Sequence, residues 1–134
     1  MKQCKMIAMV VLVCLLTGCQ LEKIDGSKKK NIDFTVVSEL EMTEPVKQII
    51  AEKKTAPFKL TFSDEQFTYL LIGYGKQNTG GYSIKVKELY ESKNAVYVKT
   101  EFVGPRQYEE QSHESYPYIV IKIEYTDKNV IFSE

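Results

Sequence analysis

Tyr82, Ile84 and Val86 alternate with Ser83, Lys85 and Lys87, and Ile119, Ile121 and Ile123 recur at every second position near the end of the chain. A two-residue period marks a strand with one buried and one wet face, so this chain is constrained to build a sheet. Everything after Pro57 reads the same way. Residues 58–62 and 67–74 flank Ser63-Asp64-Glu65-Gln66, a four-residue hairpin loop. Residues 75–81 form the next turn, which ends in the Gly80-Gly81 pair. Residues 95–103 alternate with Val96, Val98 and Phe102 on one side, and Gly104-Pro105 ends that run. Residues 106–115 are polar and read as a loop, 116–125 as a strand, and 130–132 as a short edge strand.

Upstream of Pro57 the pattern changes. Residues 33–40 read as a first strand whose apolar content is Phe34, Val36, Val37 and Leu40. Thr43-Glu44-Pro45 then opens a helix, with a Thr N-cap, an acidic first turn and an early proline. Val46, Ile49 and Ile50 make one narrow apolar face suited to docking on a sheet. Lys53-Lys54 favour the helix C-terminus, and Pro57 stops it. The expected fold is α+β and mainly β: an antiparallel sheet of about six strands with one N-terminal amphipathic helix packed on it.

The N-terminus is of another kind. Lys2 and Lys5 precede an apolar run from Met6 to Leu16, and Leu16-Thr17-Gly18-Cys19 follows. This is the lipobox of a bacterial lipoprotein signal peptide. The run is shorter than the roughly 20 residues of a bilayer span; a short uncleaved helix with an incidental cysteine is the alternative. Small Thr17 and Gly18 fit a peptidase cleft, and the Cys19 thiol takes the diacylglyceryl group. With two or more acyl chains, palmitate among them, the mature protein is stably anchored. The expected location is the extracytoplasmic face of the bacterial cell membrane. Residues 1–18 are then the signal peptide, 19–31 a lipidated cysteine and flexible tether, and 32–134 the folded domain. Lys28-Lys29-Lys30 either is solvated linker or touches anionic headgroups at roughly 1 kcal/mol per charge.

Removing residues 1–18 from 134 leaves 116, enough for one core without staples. The mature chain keeps 16 basic against 18 acidic residues, a charge of about −2, which argues against nucleic-acid binding. Cys4 and Cys14 leave with the signal peptide, so neither a disulfide nor a free thiol remains in the domain. Its basic residues are lysines apart from Arg106, a usage that suits an AT-rich, Gram-positive genome.

Catalytic chemistry finds little to work with. The domain has one histidine, His113, and carries neither a Gly-x-Ser-x-Gly elbow nor a phosphate-binding glycine loop. Glu109 and His113 would share a face if helical, with Glu110 and Glu114 beside them, but a solvated acidic loop is the plainer reading. Asp64-Glu65 are ordinary turn acids. No metal, cofactor or enzymatic activity is expected.

Gly75-Lys76-Gln77-Asn78-Thr79-Gly80-Gly81-Tyr82 is the segment that stands out. Adjacent glycines permit positive φ and close backbone approach, Thr79 can cap the turn, and Tyr82 has a ring suited to an interface. It reads either as a contact loop or as a tight hairpin whose Tyr82 lies in the core. Tyr116-Pro117-Tyr118 has the same ambiguity, and its proline marks a strand start or an edge.

Gly73-Tyr74-Gly75-Lys76, Thr79-Gly80-Gly81-Tyr82-Ser83-Ile84, Gly104-Pro105 and Tyr116-Pro117-Tyr118, in that order, resemble the PrcB C-terminal domain family. The resemblance spans roughly residues 33–125. It implies a secreted or lipid-anchored accessory protein that assembles with and supports a cell-surface serine-protease complex. The expectation is therefore a non-catalytic lipoprotein binding an exported protein partner, a protease among the candidates. Thr79, Gly80, Gly81 and Tyr82 would form the contact loop, and Tyr116 and Tyr118 a second rim. Two alternatives remain. One is a protease inhibitor wedging a glycine-tyrosine loop into a cleft, since Thr79-Gly80-Gly81-Tyr82 is faintly similar to the Thr-Thr-Gly-Tyr loop of chagasin-like inhibitors. The other is a cell-wall glycan or small-ligand binder using exposed tyrosines.

Overall fold

The computed structural model describes residues 29–106 and 113–134. The expected signal peptide, Cys19 and the acids Glu109 and Glu110 lie outside the described residues. Among the described residues, no helix is long and apolar enough to cross a membrane. The elements are β1 (Lys30–Asn31), β2 (Thr35–Val36), a single 3-10 turn (Glu39–Glu41), α1 (Glu44–Lys53), β3 (Pro57–Ser63), β4 (Phe67–Tyr74), β5 (Ser83–Glu91), β6 (Ala95–Val103), β7 (Tyr118–Glu124) and β8 (Asn129–Ser133).

The strands do not form one sheet of about six, as the alternation suggested, but two sheets of four. One has the order β1-β5-β6-β8 and the other β2-β7-β4-β3. The reason lies in β4 and β7, which carry apolar side chains on both faces. Leu70, Ile72, Ile119, Ile121 and Ile123 meet Leu89, Val96 and Val98 of the facing sheet in one core. From the other face Tyr69, Leu71 and Val120 pack with Val46 and Ile50 of α1. One helix covers only one face of a sheet, so a second sheet is needed for the other. Nor is the pairing wholly antiparallel. After β6 the chain crosses to the other sheet as β7, and β8 returns parallel to β6.

Local chemistry explains the boundaries. The strand expected over 33–40 shrinks to Thr35–Val36, because only that stretch pairs with β7, through Lys122 and Ile121. Phe34, Val36 and Leu40 are exposed, Leu40 at 93 %, while Val37 turns inward beneath the helix with Met42. Thr43 occupies the N-cap position, but its hydroxyl makes no capping bond. Lys47 N–H instead donates to the Thr43 carbonyl, as the ordinary first helical bond. Val46 and Ile50 are buried and Ile49 partly so, as their spacing required. The strand expected from 116 starts at Tyr118, just past Pro117, which has no N–H for the ladder. Lys30 and Asn31, at the end of the segment read as tether, pair with Glu91 and Tyr90.

Two irregularities tune the sheets. The pairing of β5 with β6 slips between Val86 and Glu88, so Lys87 is an extra residue. That bulge moves the inward phase from Ile84 and Val86 to Leu89. In the other sheet Phe58 lies opposite Gly73, and a Cβ on Gly73 would fall 2.1 Å from the Phe58 ring. The ring thus occupies the space a side chain would take.

The hairpin loop between β3 and β4 turns on Asp64, whose Oδ1 accepts from Gln66 N–H at 2.8 Å and Phe67 N–H at 2.7 Å. The Phe67 and Gln66 bonds hold the carboxyl below the usual aspartate range. A depressed folded pKa gives stability that is full above the unfolded aspartate value, about 3.9, and lost as pH falls through the folded one. The stability gap between the wild-type chain and Asp64→Asn should therefore be constant near neutrality and close below about pH 4 in urea titrations. Gly73→Ala should cost about 1–3 kcal/mol in the wild-type background. Combined with Phe58→Ala it should cost clearly less than the sum of the two single changes, a coupling that a double-mutant cycle reads directly.

Candidate functional site

Loops from both sheets meet at the end of the sandwich where β4 and β6 finish and β5 and β7 begin. Residues 75–82, 104–106 and 113–117 make this end, and it gathers almost every residue singled out in the sequence.

Gly75 turns the chain out of β4 with φ +77°, its backbone against the Pro57 ring, where a Cβ would come within 2.9 Å of Cδ. Gln77 and Ser115 then exchange both backbone bonds, at 2.8 and 3.0 Å. The Ser115 hydroxyl donates to the Thr79 carbonyl at 2.6 Å. Gln77 Nε2 donates to the Tyr74 carbonyl, and Tyr74 N–H to the Pro117 carbonyl. The 75–82 turn is thus stitched to the segment that feeds β7.

Thr79 donates its hydroxyl to the Gly80 carbonyl at 3.3 Å. Gly80 is buried beside His113. Gly81 is exposed at φ +88°, and a Cβ there would lie 2.6 Å from the Pro105 Cβ. Here the second glycine is obligatory, both for its left-handed backbone and for close approach. Tyr82 does not project outward. Its ring stacks on Phe102 at 4.9 Å and 9°, and Tyr74 stacks on the same Phe102 at 4.1 Å and 3°. The Tyr74 hydroxyl is bonded to Thr100 Oγ1 at 2.7 Å, and burial pushes its pKa up. Parallel aromatic pairs of this kind add roughly 0.5–1.5 kcal/mol beyond burial.

The rim is electrostatic. Lys76 Nζ sits 3.0 Å from Glu114, and the Tyr116 hydroxyl donates to Glu114 at 3.2 Å. The Lys76 bond holds the Glu114 carboxyl below its ordinary range, and Glu114 raises Lys76 in return. Lys54, at the end of α1, places its ammonium 5.3 Å from the Tyr116 ring centre.

Of the six residues expected to contact a partner, Thr79, Gly80, Gly81 and Tyr82 form one turn, and Tyr116 joins them through the Gln77–Ser115 bridge. Tyr118 does not. It packs among the residues between α1 and its sheet, and burial raises its pKa, with the Glu39 charge adding to the effect. Gln77 and Ser115 hold the platform together; Gln77 lies in the turn the sequence singled out, yet nothing marked its pairing with Ser115, because a two-residue bridge between distant loops leaves no period or motif.

What this end can do is present backbone groups and a few polar side chains from a rigid frame. Lys76, Asn78, Gly81, His113 and Glu114 are exposed around it. Among the described residues, no group of three or more His, Cys, Asp or Glu could hold a metal ion. A cleft of about 500 Å³ opens at the opposite end, between Asp33, Glu91, Tyr125 and Lys128. There Lys128 already bonds Glu91 at 2.8 Å and the Ser92 carbonyl at 2.9 Å.

The two glycines should behave differently. Gly81→Ala should cost about 1–3 kcal/mol of stability in urea unfolding, from φ strain and the Pro105 clash. Gly80→Ala meets only the His113 ring, at 3.5 Å, and should stay within about 1 kcal/mol of wild type.

No curated protein and no solved structure matches the chain. Residues 68–124 match the family model described as PrcB C-terminal. That span begins in β4, ends with β7, and takes in the 75–82 turn, the stacked tyrosines and the Gly104-Pro105 and Tyr116-Pro117-Tyr118 elements. Over these strands and the platform they carry, the chain is similar to the PrcB C-terminal family.

Proposed function

We propose that this chain is a non-catalytic accessory protein, anchored through lipid on Cys19 at the extracytoplasmic face of the cell membrane. There it holds or stabilises an exported protein partner such as a protease complex. The observation that carries this reading is the match of residues 68–124 to a family of accessory subunits. The span includes the 75–82 turn and Tyr116. Asn78 and Gly81 at the tip of the turn, with Tyr116 and the Lys76–Glu114 pair beside them, supply the contact surface. Thr79, Gly80 and Tyr82 support it from below. The stacking of Tyr82 on Phe102 favours this over an inhibitor, because a wedge needs its aromatic side chain at the tip.

The test is a tagged pull-down of the chain from native membranes, read by mass spectrometry, alongside Asn78→Arg and Cys19→Ser. An exported protein should co-purify with wild type and be lost with Asn78→Arg, while the unfolding midpoint of that variant is unchanged. Cys19→Ser should move the chain out of the membrane fraction. Equal capture by wild type and Asn78→Arg would place the contact elsewhere.

A further inference from the structure

β8 is an open edge. Its inner side pairs with β6, and among the described residues no strand pairs with its outer side. Natural edges are guarded by charge, proline or extreme shortness. The opposite sheet follows that rule, since its edge strand β3 carries Pro57 and an exposed Lys59 in mid-strand. β8 has neither: it reads Asn-Val-Ile-Phe-Ser, with Ile131 46 % exposed at its centre. It also lies beyond residue 124, outside the span that matches the family.

We propose that β8 pairs antiparallel with β8 of a second copy of this chain, across a two-fold axis at Ile131. The sequence is self-complementary in that register. Val130 of one copy faces Phe132 of the other, and both already pack against the core between the sheets. Asn129 faces Ser133, and Lys128 and Glu134, which within one copy pair with Glu91 and Lys59, fall opposite each other, so like charges meet nowhere. On the outer face Tyr90, Tyr97 and Ile131 stand in register across β5, β6 and β8, the two rings stacked at 4.9 Å. The second copy doubles that row and continues the four-stranded sheet into eight strands. An interface repeated on both copies closes on itself and does not grow into fibres.

A five-residue ladder is short for a stable dimer. Pairing is therefore favoured where copies are concentrated, as on the membrane surface of the proposed function, and to that extent the inference rests on that reading.

Intact cells carrying Ile131→Cys or Lys59→Cys, treated with a mild oxidant, provide the test. The two-fold axis sets Ile131 opposite itself at roughly 4.5–5.5 Å between Cβ atoms. Ile131→Cys should therefore yield disulfide-linked dimer at least about tenfold above Lys59→Cys, a difference of about 1.4 kcal/mol. The unsubstituted chain run alongside reports on Cys19. If it cross-links, a cysteine among Cys4, Cys14 and Cys19 is free and the anchor reading fails, and the comparison is then made with all three replaced by serine, where it decides the β8 question by itself. Sedimentation of the detergent-extracted chain gives the second readout. Ile131→Lys sets two lysines face to face and should shift the chain to monomer without moving its unfolding midpoint. Equal cross-linking at both positions, linkage of Ile131→Cys to a different protein, or a dimer indifferent to Ile131→Lys overturns the proposal.

Discussion

Neither face of β4 can meet water, and the rest of the molecule is arranged around that constraint. Leu70 and Leu71 are adjacent and both fully buried, pointing to opposite sides of one sheet. Each such side chain is worth roughly 1.5–3 kcal/mol once covered, and the described residues offer two covers. The helix takes the Tyr69 and Leu71 side, and the β5–β6 pair takes the Leu70 and Ile72 side. β7 repeats the arrangement with Val120 and Ile121. A chain without a disulfide in its folded part depends on this three-layer burial for its stability.

The platform is a by-product of closing the sandwich. Where β4, β5, β6 and β7 end together, an open seam between the sheets would expose the core. The Tyr74–Phe102–Tyr82 stack fills that seam, and the Gln77–Ser115 bridge ties the turn above it to the strand entering the other sheet. The glycines, prolines and tyrosines of the family pattern thus have structural work whatever the platform touches. What the platform leaves exposed is accordingly backbone and polar rim, with the aromatic rings held beneath.

Much of this was legible in the residues. Alternation located β5, β6 and β7 to within a few positions, the 63–66 hairpin loop located β4, and the 3–4 spacing of Val46, Ile49 and Ile50 gave the helix its buried face. The Thr-Gly-Gly-Tyr and Tyr-Pro-Tyr elements led to the family. The division into two sheets was less visible, although its signal was present: the run Tyr69-Leu70-Leu71-Ile72 is apolar without a period, as a strand covered on both sides must be. The failure of residues 33–40 to form a full strand could not be read locally. Phe34, Val36 and Leu40 have strand propensity, but nothing packs over them, and propensity yields to context. The position of Tyr118 apart from Tyr116 follows from Pro117, which lies between them so that β7 begins only at Tyr118 and the two rings have different surroundings.

The order of the strands has a kinetic side. β2 pairs only with β7, and β7 comes after both hairpins of the chain. A polypeptide delivered N-terminus first, from a ribosome or through a translocation channel, carries β2 without its partner strand until residue 124 has emerged, and α1 with only the β3–β4 part of its docking surface. The β3–β4 and β5–β6 hairpins can form early, but the first sheet-mate of β2 arrives only when β7 slots between β4 and β2. Such non-local wiring favours slow, all-or-none folding. It keeps the unfinished chain pliant while it is still in transit and delays commitment to the native state until nearly all of it has arrived.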